Sequence, residues 1–141
     1  MLHAGDGVRI YKLKSFTRFQ RAERISDAAL VAAVCRAVDG LIEADLHGGL
    51  IKQRVAREGQ GKSGGYRTLI AFRRGERAVF LFGFAKNMRS NIDADELEDL
   101  RSRGQGFLAL AADRLARLVD DGDLTEVTYG EDQNDEKPTK R

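Results

Sequence analysis

The stretch from Gly48 to Ala85, GGLIKQRVAREGQGKSGGYRTLIAFRRGERAVFLFGFA, contains three strand-like segments separated by two glycine-containing turns. Residues 48–56 alternate apolar with basic side chains, YRTLIAF is rich in β-branched and aromatic residues, and AVFLFGF is apolar on both faces. RRGER, centred on Gly75, is typical of a tight hairpin. The sequence therefore predicts three consecutive antiparallel strands, a meander, at the centre of the domain.

The segment before this meander predicts one more strand and two helices. VRIYKLK, residues 8–14, alternates apolar and basic residues, which is typical of a half-buried strand. Ser15 or Thr17 can cap a short helix after it, because a hydroxyl oxygen can accept from the free N–H groups of a first turn. Ser26, followed by an acidic residue, has the same role for a longer helix that ends at Gly40.

The segment after the meander predicts a C-terminal helix and a tail. Asp93 or Asn91 can act as the N-cap, apolar residues then recur at helical spacing, and Gly104 and Gly106 are expected to break or kink the helix. Residues 130–141, GEDQNDEKPTKR, contain no aliphatic or aromatic side chain and are predicted to be disordered. The expected organisation is a folded α+β domain, residues 1–129, with a small antiparallel sheet, N-terminal helices and a C-terminal helix.

The charge distribution is more informative than the net charge of +2. Between Lys52 and Arg89 there are ten basic residues, opposed only by Glu58 and Glu76, whereas the chain becomes acidic from Asp120 onward. A basic middle region is typical of a nucleic-acid-binding protein, although a highly charged solvated surface gives the same pattern. On charge alone, both interpretations stay open.

Composition excludes several classes of protein. No apolar run approaches the roughly 18 residues of a membrane span, and the N-terminus lacks the apolar core of a signal peptide. A single cysteine, Cys35, permits no internal disulfide, so a cytoplasmic location is predicted. No group of His, Cys and acidic residues has the spacing of metal ligands, and neither a metal nor another cofactor is predicted.

The glycine-rich segment GQGKSGG, residues 59–65, resembles a nucleotide-binding loop only superficially. A phosphate-binding loop needs a glycine five positions before the glycine of GKS, and Ala56 occupies that position. The following residues are β-branched and aromatic, so no helix N-terminus is available to bind phosphate. The segment is instead predicted to be a flexible connection between two strands, and it contains Lys62.

Residues 48–93, with LIKQRVAREGQGKSGGYRTLIAF followed by AVFLFGFAKNMRSNID, resemble the RelE/HigB-like toxins of type II toxin–antitoxin modules, within the RelE/ParE superfamily. The resemblance implies a fold like that of the microbial ribonucleases. It also implies cleavage of messenger RNA in the ribosomal A site, by metal-free attack of a ribose 2′-hydroxyl on the neighbouring phosphate. The implied partners are mRNA on the ribosome and a cognate antitoxin, expected to be of the helix-turn-helix type, in a hetero-oligomer.

The same resemblance assigns candidate site residues. Catalytic roles fall on four cations, with Lys52 as the preferred proton-transfer group: Lys52, Arg54, Arg67 and Lys86. RNA-binding roles fall on Arg57, Lys62, Tyr66 and Arg89. The sequence departs from the RelE pattern because KNMRSNID lacks the tyrosine that follows the basic segment in that family. Tyr66 can stack on a base or pack in the strand core.

Two alternative functions remain open at this point. A ParE-like toxin of the same superfamily would bind DNA gyrase without nuclease activity, and a non-catalytic module would use the same cations only to bind RNA phosphates. The basic cluster on the central strands favours the nuclease over the gyrase-directed toxin.

Overall fold

The computed structural model describes residues 7–56, 65–85 and 92–128. These residues form one six-stranded sheet and four helices. In this described part of the chain, no helix combines the length and the apolar character needed to cross a lipid bilayer. The predicted tail, residues 130–141, lies outside the described residues.

The predicted meander is confirmed. β3 (Leu50–Val55) pairs antiparallel with β4 (Tyr66–Arg73), which pairs antiparallel with β5 (Arg77–Ala85). The β4–β5 hairpin turns at Gly75, whose φ of 77° lies in the left-handed region that glycine adopts without steric cost. A short strand, β2 (Ala44–Asp45), pairs with the outer edge of β3.

The sheet is mixed rather than purely antiparallel. β1 (Arg9–Leu13) pairs parallel with β5, and β6 (Leu124–Val127), which the sequence did not predict, pairs antiparallel with β1. The strand order is β2-β3-β4-β5-β1-β6. The N-terminal strand therefore lies inside the sheet, which explains why four of its five residues are buried.

Two helices pack on one face of the sheet. α1 (Lys14–Glu23) begins directly after β1, and its N-cap residue Leu13 forms no side-chain cap, so the predicted capping by Ser15 or Thr17 is wrong. Phe16 anchors the helix through its ring contact with Phe80, at a centroid distance of 5.1 Å. α2 (Asp27–Val38) begins as predicted, with the Ser26 side chain accepting from Ala29 N–H.

Two helices follow the meander. α3 (Ala94–Ala109) begins with a complete capping box between Asp93 and Glu96, and it packs on the face of the sheet opposite to α1 and α2. α4 (Ala112–Asp120) contacts β6. The chain breaks between these helices at Leu110 and Ala111, both extended, so the predicted break at Gly104 and Gly106 is wrong.

A buried arginine stabilises the end of α3. The Arg77 side chain donates from Nη1 to the carbonyl oxygens of Phe107 and Leu110, at 2.9 and 2.8 Å. Arg73 Nη1 donates to the carbonyl of Leu108 at 3.0 Å. Because the last carbonyls of a helix have no partner within it, these cations satisfy them and oppose the negative end of the helix dipole.

Candidate functional site

The register of β3 and β4 gathers three of the four predicted catalytic cations. Lys52 and Arg54 are two residues apart on β3 and therefore face the same side of the sheet. Arg54 lies directly opposite Arg67 on β4, so the Cβ atoms of the two arginines are about 5 Å apart. The three residues form the strand cation cluster, at the end of the sheet where β3 finishes and β4 begins.

An ion pair links this cluster to the segment before β2. Arg67 Nε donates to Glu43 Oε2 at 2.8 Å, and the two side chains are 16% and 32% exposed. Glu43 precedes Ala44, which lies opposite Lys52 in the β2–β3 register. The carboxylate therefore reaches Arg67 from the far side of β3, and the cluster contains a base as well as cations.

Glu43 is the site residue that the sequence analysis missed. It occurs in GLIEADL, a connecting segment with neither a recognisable motif nor a charge run. A short edge strand brings the segment beside β3, and the backbone N–H of Glu43 is held there by Gln53 Oε1 at 3.0 Å. The sequence carried no signal for this placement, because a two-residue strand has no detectable periodicity.

Arg54 and Lys52 are half-buried, like Arg67, but they differ from it in their partners. Within residues 7–56, 65–85 and 92–128, neither forms an ion pair. The Arg54 side chain lies beside Gly65, where an added Cβ would stand 3.1 Å from Arg54 Nε. Glycine at this position therefore leaves space for the guanidinium group of Arg54.

An open cavity of about 490 Å³ lies beside the strand cation cluster. It is lined by arginine, glutamate and glutamine side chains together with part of the α2–β2 connection: Arg36, Leu41, Ile42, Glu43, Gln53, Arg54 and Arg67. The Arg36 side chain donates to the carbonyl of Arg54 and so ties α2 to β3. An anionic ligand in this cavity would meet guanidinium groups on two sides.

Tyr66 lies in the core and not at the surface. Its side chain is 1% exposed, its ring packs edge-on against Phe19 at 5.7 Å, and its hydroxyl donates to Glu23 Oε1 at 3.0 Å. Because neighbouring residues of a strand face opposite sides, Tyr66 points away from the strand cation cluster. Of the two roles considered for Tyr66, core packing is the one found, and its ring is not available for stacking on a base.

The remaining predicted site residues lie outside the described residues. They are Lys86, assigned a catalytic role, and the RNA-binding candidates Arg57, Lys62 and Arg89. Their roles stay predictions that follow from the resemblance.

Among the described residues, Tyr11 and Asp27 have perturbed pKa values, and both lie away from the cluster. Burial, followed by the nearby Glu126 carboxylate, raises the pKa of Tyr11, which lines a cleft of about 360 Å³ beside α4. Burial opposes ionisation of Asp27, but hydrogen bonds from Gln20 and Lys12 outweigh it and hold the pKa of Asp27 below its usual value. In the described residues, no three of His, Cys, Asp and Glu are grouped so as to hold a metal ion.

The arrangement suits chemistry at a phosphodiester. Three cations on one face can offset the extra negative charge of a five-coordinate phosphorane. A carboxylate within the same group can accept a proton, and a lysine ammonium can donate one.

Comparison with protein families finds a match over most of the chain. The model described as RelE toxin of the RelE/RelB toxin–antitoxin system matches residues 8–127. Comparison with individually curated proteins finds no significant match.

Proposed function

The chain belongs to the RelE toxin family, and from this premise we propose that it is an endoribonuclease that cleaves messenger RNA on the ribosome. Its membership confirms the resemblance found in residues 48–93. It also makes the chain the toxin of a toxin–antitoxin system, with an antitoxin as partner. The nuclease activity and the dependence on the ribosome are the proposal.

The observation that carries the proposal is the placement of Arg54 directly opposite Arg67, with Lys52 on the same face. Like charges at directly opposed strand positions destabilise a sheet, so this placement does not serve the fold. Glu43 neutralises only one of these cations in the described residues. A ligand with several negative charges, such as an RNA backbone, would complete the charge balance.

The proposed reaction needs no metal ion. The ribose 2′-oxygen attacks the adjacent phosphorus while the Glu43 carboxylate accepts its proton. Arg54 and Arg67 stabilise the dianionic phosphorane, and the bond to the 5′-oxygen then breaks. The Lys52 ammonium donates a proton to that leaving oxygen, which yields a 2′,3′-cyclic phosphate and a free 5′-hydroxyl. Orientation of the RNA on the ribosome would supply much of the rate enhancement.

Growth inhibition tests the residues of the site. Lys52→Ala and Arg67→Ala are expected to relieve the inhibition that follows induction of the parent chain, and Lys86→Ala is expected to do the same on the strength of the resemblance. Arg103→Ala, which removes an exposed cation from α3, is the matched control. Circular dichroism and thermal melting establish that each variant folds. If the site variants stay as toxic as the parent, the site assignment is wrong.

Mapping of mRNA 5′ ends after induction tests the reaction. New ends are expected within translated regions and are expected to disappear when translation is blocked. Inhibition of growth without new ends, together with inhibition of gyrase supercoiling in vitro, would instead identify a ParE-like toxin. Salt-sensitive RNA binding without cleavage would identify a non-catalytic RNA-binding module.

A further inference from the structure

α1 carries a row of cations that the proposed site does not use. Lys14, Arg18 and Arg21 are exposed and follow the i, i+4, i+7 spacing of one helix face, which spans about 10 Å along the axis. Arg24, also exposed, follows at the C-cap. Within the described residues, none of the four forms an ion pair or a side-chain hydrogen bond. These residues are called the α1 cation row.

The charges at the N-terminal end of this row oppose the stability of the helix, whereas Arg21 and Arg24, at its C-terminal end, are placed where the helix dipole favours cations. Lys14 stands in the first turn, where the helix dipole favours an acidic residue, and no acidic residue is present there. Arg18 and Arg21 add like charges at i+4 and i+3 spacing, which destabilise a helix surface. The burial of Phe16 and Gln20 holds the helix in place instead. Lys14 and Arg18 are therefore not explained by the stability of α1.

Arg24 adds backbone strain to this charge. Its φ of 58° and ψ of 45° place it in the left-handed region, which glycine adopts freely at a helix C-cap and other residues adopt at a cost. Glycine at this position would adopt the left-handed conformation at a lower cost in free energy, yet the chain has an arginine there. This observation is independent of the spacing argument, and it too points to a role outside the fold.

The α1 cation row and the strand cation cluster lie on opposite faces of the sheet. Tyr66 contacts α1 through Phe19 and Glu23, whereas Arg67, its neighbour on β4, points to the other face. The C-terminal end of α1 and the cluster thus share one end of the sheet but face in different directions. A single extended RNA strand lying in the site would not also lie along α1.

From these relationships we propose that the α1 cation row is a second RNA-binding surface, which holds the phosphate backbone of a structured RNA while the strand cation cluster holds the strand to be cleaved. The choice of RNA as the partner rests on the proposed function. The surface itself rests on the charge, exposure and strain of α1.

The chemistry of the row favours a phosphate backbone over a protein. Three of the four cations are arginines, whose planar guanidinium groups bind phosphate oxygens through two hydrogen bonds. The exposed residues between them, Ser15 and Ala22, are small, and serine donates readily to phosphate. A protein interface would instead present large apolar or aromatic side chains at its centre.

Binding to a short RNA duplex and to purified ribosomes tests the proposal. The variant Arg18→Gln/Arg21→Gln is compared with Arg103→Gln/Arg114→Gln, which removes the same charge from exposed positions on α3 and α4. The α1 variant is expected to bind the duplex about tenfold more weakly. The slope of log affinity against log salt concentration is expected to fall by about 2. The control is expected to bind like the parent.

Arg24→Gly provides a second test that separates binding from folding. The substitution removes one cation of the row and also relieves the strained backbone. It is therefore expected to weaken binding to the duplex while the thermal stability of the protein stays the same or rises. Equal duplex binding by Arg24→Gly, by the α1 double variant and by the parent would overturn the proposal.

Other outcomes are equally decisive. Equal losses in the α1 variant and the control would show an effect of net charge and no defined surface. Intact duplex binding with lost binding of the purified cognate antitoxin would show a protein-binding surface.

Lys52→Ala separates the two proposals, since it should abolish cleavage while duplex binding remains. If the parent cleaves no mRNA, the proposed function fails, and the binding comparison still decides the role of α1.

Discussion

Glu43 and Arg67 form an ion pair of 2.8 Å that joins the two sides of β3, one residue preceding β2 and the other lying on β4. The pair places a carboxylate within a group of cations that otherwise has no proton acceptor in the described residues. Because the Glu43 side chain is 32% exposed, a ribose hydroxyl can reach it. The pair therefore gives Arg67 a fixed orientation and gives the site a base.

Replacement of Glu43 separates these two roles. Glu43→Gln retains an oxygen that can accept from Arg67 but removes the proton acceptor, so mRNA cleavage is expected to fall on the order of 100-fold or more. Glu98→Gln is the matched control, because Glu98 also pairs with an arginine, Arg101, at 2.6 Å and is 73% exposed. A cleavage rate within a few-fold of the parent would show that Glu43 only orients Arg67.

Arg54→Gln is expected to stabilise the protein while impairing its activity. The substitution removes the repulsion between opposed arginines in β3 and β4. The free energy of unfolding is therefore expected to rise by about 0.5 kcal/mol. It also removes a cation from the proposed phosphate site. Urea denaturation and mRNA cleavage measure the two effects. A loss of stability together with a loss of activity would show that Arg54 is a structural residue.

The buried Lys12 predicts acid sensitivity through Asp27. Lys12 is 7% exposed and donates to Gln20 and Asp27 at 2.7 and 2.9 Å, and the pKa of Asp27 in the folded state is below its ordinary value of 3.8. The ionised carboxylate therefore stabilises the fold fully above about pH 4. This stabilisation is lost as the pH falls through the lower folded pKa.

Asp27→Asn tests this linkage. It is expected to lower the free energy of unfolding at pH 7 by about 1 kcal/mol, a modest value because the Asp27 side chain is 51% exposed. The difference from the parent should shrink between pH 4 and pH 2 in urea titrations. Asp99→Asn, on the exposed surface of α3, should leave the pH dependence unchanged. A constant difference across this range would contradict the role given to Asp27.

Two glycines of α3 are expected to respond oppositely to alanine. A Cβ at Gly104 would stand 3.1 Å from Ala71 Cβ and 3.3 Å from Leu81 Cδ1, so Gly104→Ala should cost about 1–3 kcal/mol by overpacking. A Cβ at Gly106 meets nothing within 4 Å, and Gly106→Ala should gain up to about 1 kcal/mol from helix propensity. Thermal melting of the two variants measures both effects, and equal shifts would contradict the packing argument.

The sequence predicted the central part of the fold because its signals are local. The alternation in β3, the hairpin at Gly75 and the capping box at Asp93 each depend on residues close together in the chain. The same alternation predicted that Lys52 and Arg54 share a face, and antiparallel pairing then brought Arg67 beside them. These local signals place three of the predicted site cations correctly relative to one another.

The features that were not predicted depend on distant residues. Lys12 follows the pattern of a solvent-facing strand residue, yet α1 and α2 bring Gln20 and Asp27 to its ammonium group. The break after α3 occurs at Leu110, where Arg77, a residue of β5, satisfies the final carbonyls. Glu43 reaches Arg67 only because β2 forms. Each of these contacts joins elements whose pairing is not encoded in a local pattern.

The position of β1 between β5 and β6 has a consequence for how the chain folds as it is synthesised. β1 leaves the ribosome first, but its two neighbours are residues 77–80 and 124–127. The search for these long-range contacts slows folding, and the strand stays without its second neighbour until Val127 has been made. The sheet of a nascent chain therefore stays incomplete until residues 124–127 are available to pair with β1.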